Sequence, residues 1–313
     1  VKKVLEEMEA DRLRKYPDPT ASILVKELAS YYGLNEDQVF VGVGSDDVLA
    51  MSFLTFFNSD KPVLFPDVTY SFYKVWADLF KVPFETPVLK EDFTIDVKDY
   101  EKENGGVIFP NPNAPTGVYM PLDQVEEILK ANQDVVVIVD EAYVDFAGPS
   151  ALELLDKYEN LLVVQTFSKS RSMAGMRIGF AMGHPDLIRA LNDVKYSYNS
   201  YTMNLPSLLA GVEAVKDKEY FEKTIEKIVA TREHAKKRLT ELGFTFPNSQ
   251  SNFIFASHKS VPAEKIFEAL KKEQIYVRYF KTPGLDNSLR ISIGTDEEMD
   301  TLFRFLEAYL PNA

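Results

Sequence analysis

The sequence contains no cysteine and only three histidines. Without cysteine, disulfides, thiolate nucleophiles and cysteine-ligated metal sites are excluded. The histidines, His184, His234 and His258, are far apart along the chain. Their spacing argues against a histidine-rich metal site and against a catalytic triad built on histidine. We therefore expect no metal ion in the site.

The chain also lacks an excess of basic charge and any long apolar run. With 48 acidic and 35 basic residues, its formal net charge is −13, which argues against nucleic acid or an anionic membrane as a partner. No stretch approaches the ~20 apolar residues of a membrane-spanning helix, and no signal peptide is recognisable. We expect a cytoplasmic protein with small-molecule substrates. Because the sequence starts at Val1 inside a charged helical pattern, we also expect residues upstream of it.

Over its first two thirds the sequence alternates continuous apolar runs with helical patterns. The apolar runs predict strands covered on both faces, at 39–44, 62–65, 105–112, 134–143, 161–167 and 176–183. Helical patterns lie between some of them, at 45–57, 71–80 and 122–132. This alternation predicts an α/β fold with a mostly parallel, doubly wound sheet.

The last third has a different pattern, which predicts a second, α+β unit. Two long helices are predicted at 204–217 and 220–243, and shorter strands and helices follow them. The final helix opens with Thr-Asp-Glu-Glu, in which Thr295 and Glu298 have capping-box spacing. We predict an N-terminal segment over 1–25, a large domain over 26–205 and a small C-terminal domain over 206–313.

Polar residues follow the predicted strands, and ligands bind beyond the carboxyl ends of strands in open parallel sheets. Ser45 and Asp46 follow a Gly-Val-Gly turn and open a helix whose free N–H groups would suit a phosphate, although a simple capped helix has the same pattern. Asp140 ends a fully apolar strand. A carboxylate there needs a partner such as a protonated ring nitrogen, or else it forms an ordinary salt bridge or helix cap.

Lys169 lies between two serines after an apolar run, and Arg177 follows eight residues later. An amine in a partly buried site near a cation loses its proton more easily, and a neutral amine forms a Schiff base with an aldehyde. The ordinary alternative is a solvated lysine in a loop.

Together these parts are those needed to bind pyridoxal 5′-phosphate (PLP). Lys169 would bind the aldehyde, and the glycine turn with Ser168 and Arg177 would bind the phosphate. Asp140 would keep the pyridine nitrogen protonated. Tyr143 would donate a hydrogen bond to the ring oxygen. Tyr70 could stack on the face of the ring, or it could be an ordinary buried aromatic residue.

Four motifs occur in the order and spacing of the fold-type I aminotransferases. They are NPNAPTG, VDEAYVDF, TFSKSRSMAGMRIGF and LRISIGT. The segments RKYPDP and NSYTMNLPSLLAG narrow the resemblance to the class II branch that contains the histidinol-phosphate aminotransferases. The resemblance covers nearly the whole chain. It implies a large PLP-binding domain with a seven-stranded, mostly parallel sheet, a smaller C-terminal domain and a homodimer whose contacts include the N-terminal segment.

The resemblance also implies residue roles. Lys169 would hold the cofactor and then carry the proton at the substrate α-carbon, with Asp140 and Tyr143 as the other catalytic residues. Tyr16 would reach the phosphate in the other subunit. Arginine pairs with carboxylate or phosphate at two points, so Arg290, assisted by another arginine, would bind the anionic end of the substrate. The assisting residue is Arg278. For Arg290 and Arg278 alike, the alternative is a surface salt bridge.

Two features depart from the family pattern. The family usually has an asparagine at the position of Ala114, and that asparagine contacts the ring oxygen of the cofactor. Either Asn113 replaces it or Tyr143 holds the oxygen alone. An Asn-Glu-Asn-Pro segment that covers the active site in the family also precedes the point where this sequence begins.

The resemblance implies that L-histidinol phosphate and 2-oxoglutarate are interconverted with imidazole-acetol phosphate and L-glutamate, a step of histidine biosynthesis. Three alternatives stay open: an aromatic amino acid aminotransferase, a phosphothreonine decarboxylase of the same fold, and a binding protein that has kept the fold and lost catalysis. An NAD-binding protein is disfavoured, because no G-x-G-x-x-G motif follows a strand.

Overall fold

The computed structural model describes the backbone of residues 1–313 and every side chain except that of Asn312. The α-helices are α1 (Lys2–Glu6), α2 (Ser22–Tyr32), α3 (Ser45–Phe56), α4 (Phe72–Phe80), α5 (Leu122–Ala131), α6 (Pro185–Tyr198), α7 (Leu205–Lys216), α8 (Lys218–Glu241), α9 (Ala263–Lys272) and α10 (Asp296–Tyr309). The strands are β1 (Val39–Gly42), β2 (Val63–Leu64), β3 (Phe84–Glu85), β4 (Gly106–Pro110), β5 (Val137–Asp140), β6 (Leu161–Thr166), β7 (Gly179–Gly183), β8 (Phe244–Thr245), β9 (Phe253–His258), β10 (Arg278–Tyr279) and β11 (Leu289–Ser292).

The first seven strands form one sheet in the order β1-β7-β6-β5-β4-β2-β3. Only β7 runs against its neighbours in it. Successive residues of the central strands enter different cores: Val137 and Val139 pack in one, and Ile138 packs in the other. Because both faces are buried, these strands are continuous apolar runs. The predicted seven-stranded, mostly parallel α/β fold is confirmed.

The remaining strands form an antiparallel sheet in the order β10-β11-β9-β8. Helices α8, α9 and α10 cover it, and they contribute Leu239, Ile266 and Leu306 to its core. The capping box of α10 is present, because the Thr295 N–H donates to Oε2 of Glu298 (2.7 Å) and the Glu298 N–H donates to Oγ1 of Thr295 (3.3 Å).

Helix α7 packs with the first sheet. It contacts α2, and its side chains Leu208 and Val215 lie in the same core as Leu24 and Leu28 of α2. The predicted start of the small domain, residue 206, lies within this helix, and the division into domains stays a prediction.

The topology brings the carboxyl ends of β4, β5 and β6 to one edge of the sheet, where Pro110 pairs with Asp140. Strand β7 starts at that edge and passes close to the N-terminus of α3. A Cβ on Gly179 would lie 2.3 Å from the backbone nitrogen of Ser45. Glycine at this position lets the strand and the helix start share one small volume.

Candidate active site

The N-terminus of α3 is built to receive an anion. The helix begins at Ser45 with Gly44 as its N-cap, and no side chain caps it. The guanidinium of Arg177 lies directly over Gly44, since a Cβ there would be 2.5 Å from Nη2. A cation at the positive end of a helix is unfavourable unless an anion lies between them. Gly44 has φ +87°, so glycine is suited both to the turn and to this close approach.

Lys169 follows β6 at the same edge of the sheet. Its Nζ lies 5.4 Å from the centroid of the Tyr143 ring. The next residue, Ser170, donates a hydrogen bond from its hydroxyl to Oδ2 of Asp145. This bond ties the loop of Lys169 to the loop of Tyr143. In the part of the chain that the structure describes, Lys169 forms no salt bridge, which leaves its amine available to a ligand.

Asp140 is buried at the end of β5. The hydroxyl of Tyr73 donates to its Oδ2 (2.7 Å), and the N–H of Ala142 donates to its Oδ1 (3.2 Å). Burial raises the pKa of Asp140 to about 6, even though both hydrogen bonds favour the ionised form. The carboxyl group is therefore poised to pair with a protonated group of a ligand.

Two tyrosines flank this acid. Tyr70 is half-buried and donates from its hydroxyl to Oδ1 of Asp46 (2.9 Å). Burial and the nearby carboxylate of Asp46 raise the pKa of Tyr70. Tyr143 is buried and packs edge-to-face against Phe253, with ring centroids 5.1 Å apart. The phenol hydroxyls of both tyrosines are hydrogen-bond donors.

The second sheet contributes a cation to the same site. The guanidinium of Arg290 on β11 lies 5.0 Å from the ring centroid of Phe253 and 5.9 Å from that of Phe280. Its Nε is buried, and among the described residues it has no hydrogen-bond partner. Arg278 stands directly opposite Arg290 in the pairing of β10 with β11. An unpaired buried donor beside a second arginine favours an anionic ligand.

Nine of the residues predicted from the sequence line one cavity of about 230 Å³. They are Ser45, Asp46, Tyr70, Asp140, Tyr143, Ser168, Lys169, Arg177 and Arg290. The structure thus brings together residues that are up to 245 positions apart in the sequence, from Ser45 to Arg290.

Three predicted residues lie elsewhere than on the cavity wall. The amide nitrogen of Asn113 donates to the carbonyl of Val68 (3.0 Å) and to Thr116 (2.9 Å), and the lining residue of this loop is Ala114. Tyr16 is 82% exposed, and its ring lies against another tyrosine. Arg278 is exposed on β10. Their predicted roles stay predictions.

Sequence reasoning missed the residues that support the lining. They are Tyr73 behind Asp140, and the bonded pair Asp145 and Ser170. A signal existed for each: Tyr73 follows Tyr70 by three residues, and Asp145 and Ser170 lie inside motifs already singled out for Tyr143 and Lys169.

The cavity fits PLP. The first turn of α3 with Arg177 offers an anion site, Lys169 offers an amine for an aldehyde, and Asp140 offers a carboxyl for a ring nitrogen. Arg290 also lines the cavity and has an unpaired donor, so a second anion can be bound as well.

Other kinds of site are not found among the described residues. No group of three or more His, Asp and Glu side chains there could hold a metal ion. None of the helices described is long and apolar enough to cross a membrane.

Comparison with known proteins identifies the family of the chain. A family model described as "Aminotransferase class I and II" matches residues 1–306. A histidinol-phosphate aminotransferase from Brachyspira hyodysenteriae is 51% identical over 313 residues, which is the whole of this chain and 88% of the relative. One from Clostridium acetobutylicum is 54% identical over 292 residues, covering 93% of this chain and 83% of the relative. The crystal structure of histidinol-phosphate aminotransferase from Sinorhizobium meliloti, in complex with pyridoxal-5′-phosphate, superimposes with a TM-score of 0.86 at 25% identity, covering 96% of this chain and 83% of that one.

Proposed function

The chain belongs to the class I and II aminotransferases, and from this premise we propose that it is a PLP-dependent histidinol-phosphate aminotransferase. It interconverts L-histidinol phosphate and 2-oxoglutarate with imidazole-acetol phosphate and L-glutamate. The observation that carries the proposal is the convergence of Lys169, Asp140 and the Arg177-covered helix start on one cavity. The substrate assignment is supported by relatives of that name at about 50% identity along the chain.

Four groups would hold the cofactor. The N–H groups of the first turn of α3, with Arg177 above them, bind the phosphate. Asp140 accepts a hydrogen bond from the ring N–H and keeps that nitrogen protonated. Tyr143 donates to the ring oxygen. Tyr70 packs against the ring face, and its bond to Asp46 fixes the angle of its own ring.

When bound, PLP supplies an electron-withdrawing ring that stabilises negative charge at the substrate α-carbon. The protein controls the proton that leaves that carbon. Lys169 would hold the cofactor through its aldehyde, and its Nζ would accept the α-proton from one substrate and return a proton to the α-carbon of the other. The Asp145–Ser170 bond keeps the loop of Lys169 fixed to the loop of Tyr143, so the amine stays close to the ring.

The arginine pair would bind the substrates' anionic ends. One site must accept a carboxylate from glutamate and a phosphate from histidinol phosphate. Arg290 provides a half-buried guanidinium whose buried Nε has no hydrogen-bond partner among the described residues. Arg278 lies across the strand pair from it and adds a second cation for the more highly charged phosphate.

We also propose a homodimer in which Tyr16 contributes to the partner's phosphate site. The support is a surface of aromatic side chains around the N-terminal segment. The ring centroids of Tyr16 and Tyr201 are 4.7 Å apart. Tyr198, close to Tyr201 in the sequence, is 77% exposed. Exposed tyrosines in one region are typical of protein interfaces. A cytoplasmic location stays a prediction.

The test begins with the covalent link. Protein saturated with PLP is reduced with borohydride, digested and analysed by mass spectrometry. We expect a pyridoxyl label on Lys169 and none in Lys169→Ala. Lys157→Ala, a change at an exposed lysine outside the cavity, should keep the label at position 169. A label on another lysine, or none in the unaltered protein, would overturn the cofactor assignment.

Substrate choice is tested on the same preparation by the visible absorbance of the bound cofactor. Histidinol phosphate should replace the absorption band of the bound cofactor by that of the cofactor's amine form, and 2-oxoglutarate should restore the original band. Phenylalanine at equal concentration should react at least ~100-fold more slowly, because it lacks the phosphate that both arginines bind. Comparable rates would favour an aromatic aminotransferase, and release of CO₂ from phosphothreonine would favour a decarboxylase. A band that no substrate changes would indicate a non-catalytic protein.

A further inference from the structure

Asp140 accepts a hydrogen bond from Tyr73, a residue that does not line the cavity. Tyr73 is fully buried on α4, and its ring packs among Phe53, Phe65 and Trp76, with centroids 5.9 to 6.3 Å away. Its hydroxyl reaches through this apolar cluster to Oδ2 of Asp140, at 2.7 Å. A buried phenol hydroxyl needs a partner, and here the partner is the one acid that faces the predicted ring nitrogen.

We infer that Tyr73 is a positioning residue for the cofactor's ring nitrogen: by donating to Oδ2 of Asp140 it keeps this carboxylate ionised and turned toward the cavity. The inference rests on the proposed function, because it assigns a role toward PLP. Tyr73 acts through Asp140 and touches neither substrate nor cofactor.

The bond from Tyr73 to Asp140 affects where one proton resides. A buried carboxylate and a protonated ring nitrogen compete for the same proton. Burial favours the neutral pair, in which the acid holds the proton. Donation from Tyr73 stabilises the anion and returns the proton to the ring, and the ring then withdraws electrons more strongly. Without that donor the proton shifts toward Asp140, and electron withdrawal weakens.

Other groups act on Asp140, so the role of Tyr73 must be separated from theirs. Asp46 on α3 opposes the ionised form, and Lys169 after β6 supports it. The phenol of Tyr70 interacts with the same carboxylate. Of these, the donor that bonds Asp140 directly from a side chain is Tyr73, and the Phe substitution removes that bond while leaving the charges of the others in place.

The chain offers a matched control in Tyr100. Its side chain is also buried, and among the described residues its hydroxyl has no hydrogen-bond partner. It packs in the core on the other face of the sheet, apart from Tyr73. Tyr100→Phe therefore deletes a buried hydroxyl, as Tyr73→Phe does, without changing any bond to Asp140.

The experiment reads the ring nitrogen directly. The unaltered protein and both variants are loaded with PLP carrying ¹⁵N in the ring, and the ¹⁵N chemical shift is measured by NMR at pH 7. We expect the protonated position in the unaltered protein and in Tyr100→Phe, and a displacement toward the unprotonated position in Tyr73→Phe. The kcat of Tyr73→Phe should fall about tenfold, or ~1.4 kcal/mol, with KM changed less than about twofold.

A second variant guards against loss of folding. Tyr73→3-fluorotyrosine keeps the hydroxyl and makes it a stronger donor, so it should keep the protonated ¹⁵N position. If Tyr73→Phe keeps the unaltered ¹⁵N shift, or if Tyr100→Phe moves it equally, the inference is wrong while the PLP function stands. If the unaltered protein takes up no PLP, the proposed function fails and the inference fails with it.

Discussion

At the scale of single residues, the site has a methyl group where the family pattern has an amide. Ala114 lines the cavity and belongs to a small apolar cluster with Tyr143, Phe146 and Phe253. The neighbouring Asn113 already uses its amide nitrogen for two bonds within the protein. In this geometry Tyr143 is the member of the cluster that can donate to the ring oxygen.

Ala114→Asn should therefore strengthen cofactor binding. The added amide would give the ring oxygen a second donor, and a net hydrogen bond contributes about 0.5–1.5 kcal/mol, or roughly two- to tenfold in affinity. The measurement is the half-saturating PLP concentration, followed by quenching of protein fluorescence.

Ala114→Leu is the matched control, because leucine has the same branching and number of non-hydrogen side-chain atoms as asparagine and cannot donate a hydrogen bond. We expect it to bind PLP no better than the unaltered protein. Equal affinity of the Asn and Leu variants would show that filling the space, and not the amide, determines the change.

At the scale of elements, the phosphate site depends on how α3 starts. Gly44 has φ +87°, and a Cβ there would meet Nη2 of Arg177 at 2.5 Å. Gly33, at the C-terminus of α2, has a similar φ of +70°, but nothing lies within 4 Å of its Cβ position. The two glycines share a positive φ, which would strain any other residue, and they differ in the atoms that lie beside them.

Gly44→Ala should weaken PLP binding at least ~10-fold, because the methyl group displaces the guanidinium that covers the helix start. Gly33→Ala should cost about 1 kcal/mol of stability and leave PLP affinity unchanged. Titration with PLP checks the affinity, and thermal unfolding checks the stability. Equal loss of affinity in both variants would refute a specific role for the Gly44–Arg177 contact.

Helices were predictable where their start signals are adjacent to the helix, and were missed where they are not. The capping box at Thr295 was read correctly. Helix α2 was not predicted, because its N-cap is Ala21, whose side chain cannot cap a helix. The N–H of Ser22 instead donates to Asp18, four residues earlier (2.8 Å). Helix α6 was not predicted either. Its N-cap side chain is His184, a residue outside the usual capping set.

The lining residues of the site were predictable for a related reason. Residues such as Ser45, Asp140 and Lys169 follow a strand or open a helix at one edge of a mostly parallel sheet, and that edge can be identified from the sequence. Arg290 lies inside β11 of the other sheet, and only the family resemblance pointed to it. The Tyr73–Asp140 bond joins residues 67 positions apart, and no local pattern encodes such a contact. The orientation of Asn113 also depends on the surrounding fold, since its partner Val68 lies on a distant loop.

At the scale of the whole molecule, the cavity needs both sheets, and a buried arginine joins them. Nη1 of Arg232 on α8 donates to the carbonyls of Phe146 (2.9 Å) and Ser251 (3.1 Å). Phe146 follows Tyr143 in the large-sheet unit, and Ser251 precedes β9 in the small one. This link holds Arg290 at a fixed distance from the cofactor side of the cavity, which a substrate with two ends requires.

The stability of the whole molecule should depend on a second buried acid, Glu141. It accepts hydrogen bonds from Ser150 (2.5 Å), from the N–H of Ala151 (2.6 Å) and from Gln165 (2.9 Å). Burial nevertheless raises its pKa to about 7. The folded protein thus binds this proton more tightly than the unfolded chain, in which glutamate titrates near 4.3.

The direction in which stability changes with pH follows from this difference in pKa between the folded and unfolded states. Between about pH 4.3 and 7 the folded state holds more protons, so the contribution of Glu141 to the free energy of unfolding falls as pH rises, and the penalty is complete above pH 7.

Glu141→Gln removes the titration. Rotation of the Gln165 amide and the Ser150 hydroxyl lets glutamine keep its own hydrogen bonds. The Tyr32 hydroxyl, which donates to Oε1 of Gln165 (2.7 Å), would then accept from Nε2 of Gln165. Relative to the unaltered protein, the variant should gain stability on the order of 3 kcal/mol between pH 5 and pH 8. Urea unfolding followed by circular dichroism measures it, with Glu219→Gln, at an exposed acid, as the control. If the difference between Glu141→Gln and the unaltered protein is the same at both pH values, Glu141 is ionised at no such cost in the folded state.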